Sequence, residues 1–152
     1  MRKTSVIALL LVTVFFSVLT GCKKDPAPSV SELIAKNWTL TKVEETNVTV
    51  YTRGATNNIR DYSKFRLNLS SPPTANYTDW DGIASTGKYT VPVDTRLVIS
   101  DMNPQLTTSS GGTAGTIEFT INSIDAGTLV ITRVGTSIKT GGTTNKYTFT
   151  NP

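Results

Sequence analysis

The stretch IEFTINSIDAGTLVITR, residues 117–133, carries the clearest fold signal in the chain. Apolar side chains alternate with polar ones on both sides of a short polar break, at Ile117, Phe119, Ile121, Leu129 and Ile131. A period of two is typical of antiparallel strands that place one face on a core. The break, Asp-Ala-Gly at 125–127, predicts a hairpin loop. The stretch therefore predicts two antiparallel strands joined by a tight turn.

The same alternation recurs along the chain, at Phe65, Leu67, Leu69, Leu97, Ile99, Tyr147 and Phe149. Thr-rich and Val-rich segments predict further strands over 38–45, 47–53, 75–80 and 86–91. Together these segments predict an all-β domain of eight or nine antiparallel strands. Closure into a barrel would remove the exposed sheet edges. A small barrel and a two-sheet sandwich both satisfy the pattern.

A short helix is predicted before the first strand. Ser29-Val30-Ser31-Glu32 reads as a capping box, with Ser29 as N-cap, and opens a helix over about 30–36. Residues 53–62 and 103–115 are rich in Gly, Ser, Asn and Thr and predict longer loops. Gly141-Gly142 predicts the turn before the last strand.

The first 21 residues have the layout of a secretory leader. Arg2 and Lys3 form a basic start, an apolar run of 14 residues extends from Val6 to Leu19, and small residues follow. This order is typical of a signal peptide. The apolar run is shorter than the roughly 20 residues that a membrane-spanning helix needs. We therefore expect residues 1–21 to be a lipoprotein signal peptide that is removed.

The leader ends in Leu19-Thr20-Gly21-Cys22, which resembles the bacterial lipobox, where a peptidase cuts before a Cys whose thiol carries a diacylglycerol. Cys22 is the only cysteine in the chain, so it has no intramolecular disulfide partner. Attached acyl chains would anchor the mature protein in a membrane. Residues 22–29, which include Pro26 and Pro28, would form a short stiff tether.

Composition excludes several classes of function. Without Arg2 and Lys3 of the leader, 13 Lys and Arg (15 − 2) face 11 acids, a net charge of +2. The cations are spread along the domain, whereas a nucleic-acid binder needs a clustered basic face. Histidine is absent, which excludes Ser-His and Cys-His catalytic pairs and His-ligated zinc. We expect no enzymatic activity, no metal site, no cofactor and no nucleic-acid partner.

A family resemblance covers nearly all of the mature chain. A short helix followed by several strand motifs resembles the lipocalin-like domain of bacterial lipoproteins: AKNWTLTKVEE (35–45), FRLNL (65–69), GKYTV (87–91), RLVIS (96–100), the 117–133 hairpin and KYTFT (146–150). The resemblance implies an antiparallel lipocalin-like β-barrel of about eight strands over 30–152. It also implies that Trp38, at the start of the first strand, plugs one end of the barrel.

The resemblance to bacterial lipoproteins extends to location. By the sorting rules of Gram-negative lipoproteins, Lys23 beside the lipidated Cys22 implies the outer membrane, since Asp at that position marks inner-membrane retention. The domain would face either the periplasm or the cell surface, and the sequence is compatible with both. A lipocalin-like cup implies room for about one small apolar molecule.

The most unusual polar cluster is Tyr77-Thr78-Asp79-Trp80-Asp81-Gly82. Tyr77 or Trp80 could stack on a sugar while Asp79 and Asp81 accept hydrogen bonds from its hydroxyls. Alternatively, Asp81-Gly82 is a hairpin turn and Tyr77 points into the core. Two acids in one turn do not flank a sugar as a glycosidase pair must. The cluster is therefore a candidate binding site without catalytic residues.

The sequence supports two functional hypotheses. The first is a lipid-anchored, non-enzymatic protein that binds a small apolar molecule or serves as an accessory subunit at the outer membrane. The second is a cell-surface module that binds a glycan or a protein partner.

Overall fold

A computed structural model describes residues 26–106 and 113–151 of the chain. The predicted leader, Cys22 and residues 107–112 of the predicted long loop lie outside the described residues. The described elements are one α-helix and nine strands: α1 (Val30–Ile34), β1 (Asn37–Glu45), β2 (Val48–Thr52), β3 (Arg66–Ser71), β4 (Thr74–Thr78), β5 (Ala84–Val93), β6 (Arg96–Asn103), β7 (Ile117–Ile124), β8 (Thr128–Arg133) and β9 (Asn145–Thr150). A short 3-10 helix, Ile138–Thr140, lies between β8 and β9. In this part of the chain, no helix has the length and apolar character needed to cross a bilayer.

Eight of the nine strands close into a barrel. Strands β3 to β9 pair antiparallel with their neighbours in sequence, and β1 pairs with β3 on one side and with β9 on the other. The remaining strand, β2, folds back on the second half of β1 as a hairpin. The predicted all-β antiparallel barrel of about eight strands with a short N-terminal helix is confirmed. The closed barrel, and not the open sandwich, is the architecture.

Strand β1 divides one of its edges between two partners. Asn37 and Trp38 pair with β3, whereas the segment from Lys42 to Glu45 pairs with β2. Between these two ladders, the Thr41 carbonyl accepts a hydrogen bond from the Arg53 amide at 2.8 Å. The barrel wall therefore has a notch between β2 and β3, at the middle of β1.

The barrel interior is filled with side chains. The inward positions carry the largest fully buried residues, all less than 2% exposed or close to it: Trp38, Phe65, Leu67, Leu69, Tyr77, Leu97, Ile99, Phe119, Tyr147 and Phe149. The rings of Phe65 and Tyr147 stack at 5.1 Å, and Tyr77 meets Phe65 edge-on at 5.2 Å. Aromatic pairs at these distances pack favourably and leave little room between them. The centre is a packed core.

The N-terminal helix closes one end of this core. Ser29 and Glu32 form the predicted capping box, with both reciprocal hydrogen bonds present. The helix ends at Ile34, two residues earlier than predicted, and the Ile34 side chain is fully buried. The Trp38 indole N–H donates to the Ile34 carbonyl at 2.9 Å. Trp38 therefore joins the helix to the first strand and lies in the core.

The two ends of the barrel differ in their connections. Because neighbouring strands are antiparallel, α1 and the short turns at 72–73, 94–95 and 125–127 lie at one end, which we call the helix end. The longer connections at 79–83 and 134–144, and the described residues 104–106 and 113–116 between β6 and β7, lie at the opposite end, which we call the loop end.

We predict that Phe119→Ala lowers the free energy of unfolding by about 3–5 kcal/mol, because it opens a cavity beneath Tyr147 in a packed interior. Thr120→Ala, on the exposed face of the same strand, is the matched control and should change it by less than about 0.5 kcal/mol. Urea unfolding followed by tryptophan fluorescence measures both. Equal effects of the two substitutions would contradict a filled interior.

Candidate functional site

The four residues of the predicted site lie at the loop end, in the hairpin between β4 and β5. Tyr77 is in β4, and Asp79, Trp80 and Asp81 form the turn that follows. The predicted strand over 75–80 ends at Thr78, because the Asp79 amide bonds to the Ile83 carbonyl at 3.0 Å and starts the turn. Gly82 adopts a φ of 86°, a left-handed conformation that favours glycine. The predicted hairpin turn is confirmed.

Two of the four side chains are buried. Tyr77 is 1% exposed and Asp79 is 3% exposed. The Tyr77 hydroxyl lies 3.5 Å from Asp79 Oδ1, which also accepts a hydrogen bond from the Trp80 amide at 2.9 Å. A ligand approaching from solvent would meet Trp80 and Asp81, with Tyr77 and Asp79 supporting them from below.

Lys139 joins the two acids of the turn. Its Nζ lies 3.2 Å from Asp79 Oδ2 and 2.7 Å from Asp81 Oδ2. The Lys139 side chain is only 13% exposed, so one buried ammonium is shared by two carboxylates. Buried charges persist when they are paired in this way. The connection between β8 and β9 is thereby fixed to the β4–β5 hairpin.

Trp80 contacts two side chains of the 53–65 segment. The Arg60 guanidinium lies over the indole, 4.8 Å from the ring centroid, and the Tyr62 ring centroid is at 6.4 Å. The first contact has cation–π geometry. The indole Nε1 is buried and has no hydrogen-bond partner among the described residues.

Glu45, at the end of β1, binds the same two residues of this segment. Its carboxylate accepts hydrogen bonds from Arg60 Nε at 2.7 Å and from the Tyr62 hydroxyl at 2.8 Å. Glu45 is 7% exposed, so its pairing with Arg60 offsets the cost of burying the charge.

Asn145 completes this layer of buried polar groups. Its side-chain amide nitrogen donates to the hydroxyls of Tyr62 and Tyr147, at 3.4 Å and 3.3 Å. Its oxygen accepts from Thr140 and Thr143, at 3.2 Å and 2.7 Å. Both kinds of polar atom in the amide are therefore satisfied.

These groups form a polar plug, defined here as Glu45, Arg60, Tyr62, Tyr77, Asp79, Arg133, Lys139 and Asn145. The sequence prediction found Tyr77 and Asp79 but missed the other six. One signal was available: the inward alternation of Leu129 and Ile131 continues to Arg133, which is 3% exposed. A charged residue at an inward strand position indicates a buried polar network.

The plug keeps its tyrosines neutral. Burial raises the pKa of Tyr62, and Tyr147 and the Glu45 carboxylate raise it further. Burial likewise raises the pKa of Tyr77 and of Tyr147, with Asp79 adding to the effect in both. The three hydroxyls therefore act as hydrogen-bond donors and acceptors and not as acids.

Asp81 differs from the buried groups because its side chain is 27% exposed. Partial burial raises its pKa, but the Lys139 hydrogen bond, the Ile83 amide and the Lys139 charge lower it, and the result is a pKa below the usual 3.8. Asp81 is therefore ionised near neutral pH and helps to neutralise Lys139.

The geometry defines a class: an all-β barrel with a packed interior, a helix at one end and a plug of paired charges at the other. The sequence matches no known family model and no curated protein. Within the described ranges, no cluster of three or more His, Cys, Asp or Glu side chains could hold a metal ion.

We predict that Asp79→Asn destabilises the protein more than Asp81→Asn. Both substitutions remove a carboxylate from Lys139, but Asp79 is almost fully buried. The expected losses in unfolding free energy at pH 7 are about 2–4 kcal/mol for Asp79→Asn and at most about 1 kcal/mol for Asp81→Asn. Urea unfolding measures both, and a larger loss for Asp81→Asn would contradict the plug as described.

The contribution of Asp81 should depend on pH. Because the folded protein lowers the pKa of Asp81, its stabilisation is present above the unfolded value of about 3.9 and is lost as pH falls through the folded pKa. The stability difference between the native protein and Asp81→Asn should therefore shrink as the pH falls from about 5 to about 3. A difference that stays constant over this range would show that the ion pair contributes nothing.

Proposed function

We propose that this protein is a non-enzymatic, lipid-anchored accessory protein of the outer membrane that binds a protein partner through its loop end. Lipidated Cys22 attaches it to the membrane, and the barrel faces the periplasm or the cell surface. The main support for this proposal is that the tether joins the barrel at the helix end, whereas most of the exposed apolar side chains lie at the loop end.

The tether enters the domain at the helix end. Residues 26–29 are exposed and lead directly into α1, which precedes β1. A lipid at Cys22 therefore holds the helix end towards the bilayer. The loop end then points away from the membrane, where a partner can reach it.

Exposed apolar side chains concentrate on the far side from the tether. Six large apolar residues of the described ranges are strongly exposed: Val48, Ile59, Ile83, Val93, Val134 and Ile138. Ile83, Val134 and Ile138 lie in loop-end connections, and Val48 begins β2 at the same end. Ile59 lies in the 53–65 segment, whereas Val93 lies at the helix end. Aliphatic side chains exposed on one end of a domain favour contact with a protein.

The packed interior supports this choice over an apolar-ligand carrier. A carrier barrel needs an internal space for its ligand. Here the inward rings of Phe65, Tyr77 and Tyr147 contact one another, and the polar plug covers them at the loop end. Binding at the outer surface fits this interior better than binding inside it.

The surroundings of Trp80 favour a protein over a glycan. A sugar stacks on an open aromatic face, but the Arg60 guanidinium covers the Trp80 ring at 4.8 Å. Tyr77 offers no alternative platform, because it is 1% exposed. The apolar loop-end residues are aliphatic, and they suit a protein interface.

We predict that loop-end substitutions abolish partner capture. In cross-linked envelopes of the native host, the protein should co-purify with a partner, and Ile83→Asp or Ile138→Asp should reduce the recovery at least tenfold. Val93→Asp is the matched control, since Val93 is exposed to 57% at the helix end, and it should leave recovery unchanged. Circular dichroism checks that each variant is folded.

Two outcomes would overturn the proposal. One is equal loss of the partner in Val93→Asp, which would place the contact elsewhere. The other is a Cys22→Ser variant that still sediments with membranes, because anchoring would then not depend on the lipidated thiol. Recovery of glycans in place of protein would favour the alternative module.

A further inference from the structure

We propose that the notch in the barrel wall between β2 and β3 is a binding site for a phosphate group. The inference is independent of the loop-end partner, because the notch lies on the side of the barrel and uses other residues.

The notch exists because β1 changes partners. Trp38 is the last β1 residue paired with β3, and Lys42 is the first paired with β2. The strand between them borders an opening of about 160 Å³, which would hold about five water molecules at roughly 30 Å³ each. A phosphate group fits within this volume.

The lining supplies hydrogen-bond donors and no carboxylate. It consists of Asn37, Trp38, Thr39, Leu40, Arg53, Phe65 and Arg66. Two arginines, an asparagine and a threonine are therefore among the seven residues that border one small opening. An anion would meet donors and no repelling charge.

The two arginines lack acidic partners among the described residues. Arg66 Nη1 donates to the Ser63 and Phe65 carbonyls, each at 2.7 Å, which orients the guanidinium without neutralising it. Arg53 is exposed, and its backbone is fixed by the hydrogen bond to Thr41. By contrast, Arg60 and Arg96 are each paired with a glutamate.

Arginine pairs of this kind match phosphate chemistry. The planar guanidinium presents parallel donors that fit two oxygens of a phosphate. Two uncompensated positive charges match a phosphate monoester, which carries close to two negative charges at neutral pH. Both a free phosphate and a lipid headgroup present this chemistry.

The test is a titration of the full mature protein, in mild detergent, with inorganic phosphate at constant ionic strength, followed by amide resonances in two-dimensional NMR. Resonances of Asn37, Thr39 and Arg66 should shift saturably. Arg53→Gln should weaken binding about tenfold or more, since it removes a charged hydrogen-bond donor. Arg96→Gln is the matched control with the same charge change on another part of the wall, and it should bind as the native protein does.

Arg53→Gln is preferred to a change at Arg66, because the Arg66 hydrogen bonds to two carbonyls also support the 63–66 segment. The thermal unfolding midpoint of Arg53→Gln should equal that of the native protein. Vesicles that contain phosphatidic acid separate the two sources. If the vesicles displace inorganic phosphate, the ligand is a lipid headgroup; if they do not, the ligand is free phosphate. No saturable shift in the native protein, or equal weakening in Arg96→Gln, would overturn the site.

Discussion

The pairing of β1 is the constraint on which the rest of the structure depends. This strand forms a ladder with β9 that closes the barrel, and it divides its other edge between β3 and β2. Closure removes the free edges that an open sheet of the eight barrel strands would expose, whereas β2 pairs with β1 alone. The division leaves an opening in the wall, with Arg53 and Arg66 at its border. One strand thus accounts both for the closed core and for the opening in the wall.

The inward face of the barrel changes character along its length. Near the helix end and in the middle it carries aromatic and aliphatic side chains. At the loop end the inward-facing positions are occupied by buried polar or charged residues: Glu45, Asp79, Arg133 and Asn145. Buried charges on different strands must be paired to be tolerated. That requirement fixes the loops, because Arg60 reaches Glu45 and Lys139 reaches Asp79 from segments that contribute no strand at those positions. The plug therefore fixes the 53–65 and 134–144 connections as well as closing the end.

Sequence patterns predicted the strands and the hairpin turns, because side-chain alternation and turn residues are local signals. They did not predict the plug, for two physical reasons. A bulge between Leu40 and Lys42 shifts the alternation of β1, so a strict period of two from Trp38 would place Glu45 outside. Lys139 approaches Asp79 from 60 residues away (139 − 79). Pairing over that distance depends on the closed topology, which strand patterns alone do not specify.

The division between the two ends follows from the chain's order. The segment that precedes α1 enters where β1 begins, and antiparallel pairing then places the β4–β5, β6–β7 and β8–β9 connections at the opposite end. Short turns suffice at the helix end because α1 already covers the core there, through Ile34 and its bond to Trp38. Among the described residues the loop end has no α-helix, and ion pairs cover the core there. With Asp81 included, the plug has three positive and three negative side chains, so its charges balance. Aliphatic residues such as Ile83 and Ile138 are then left to determine what the outermost surface can bind.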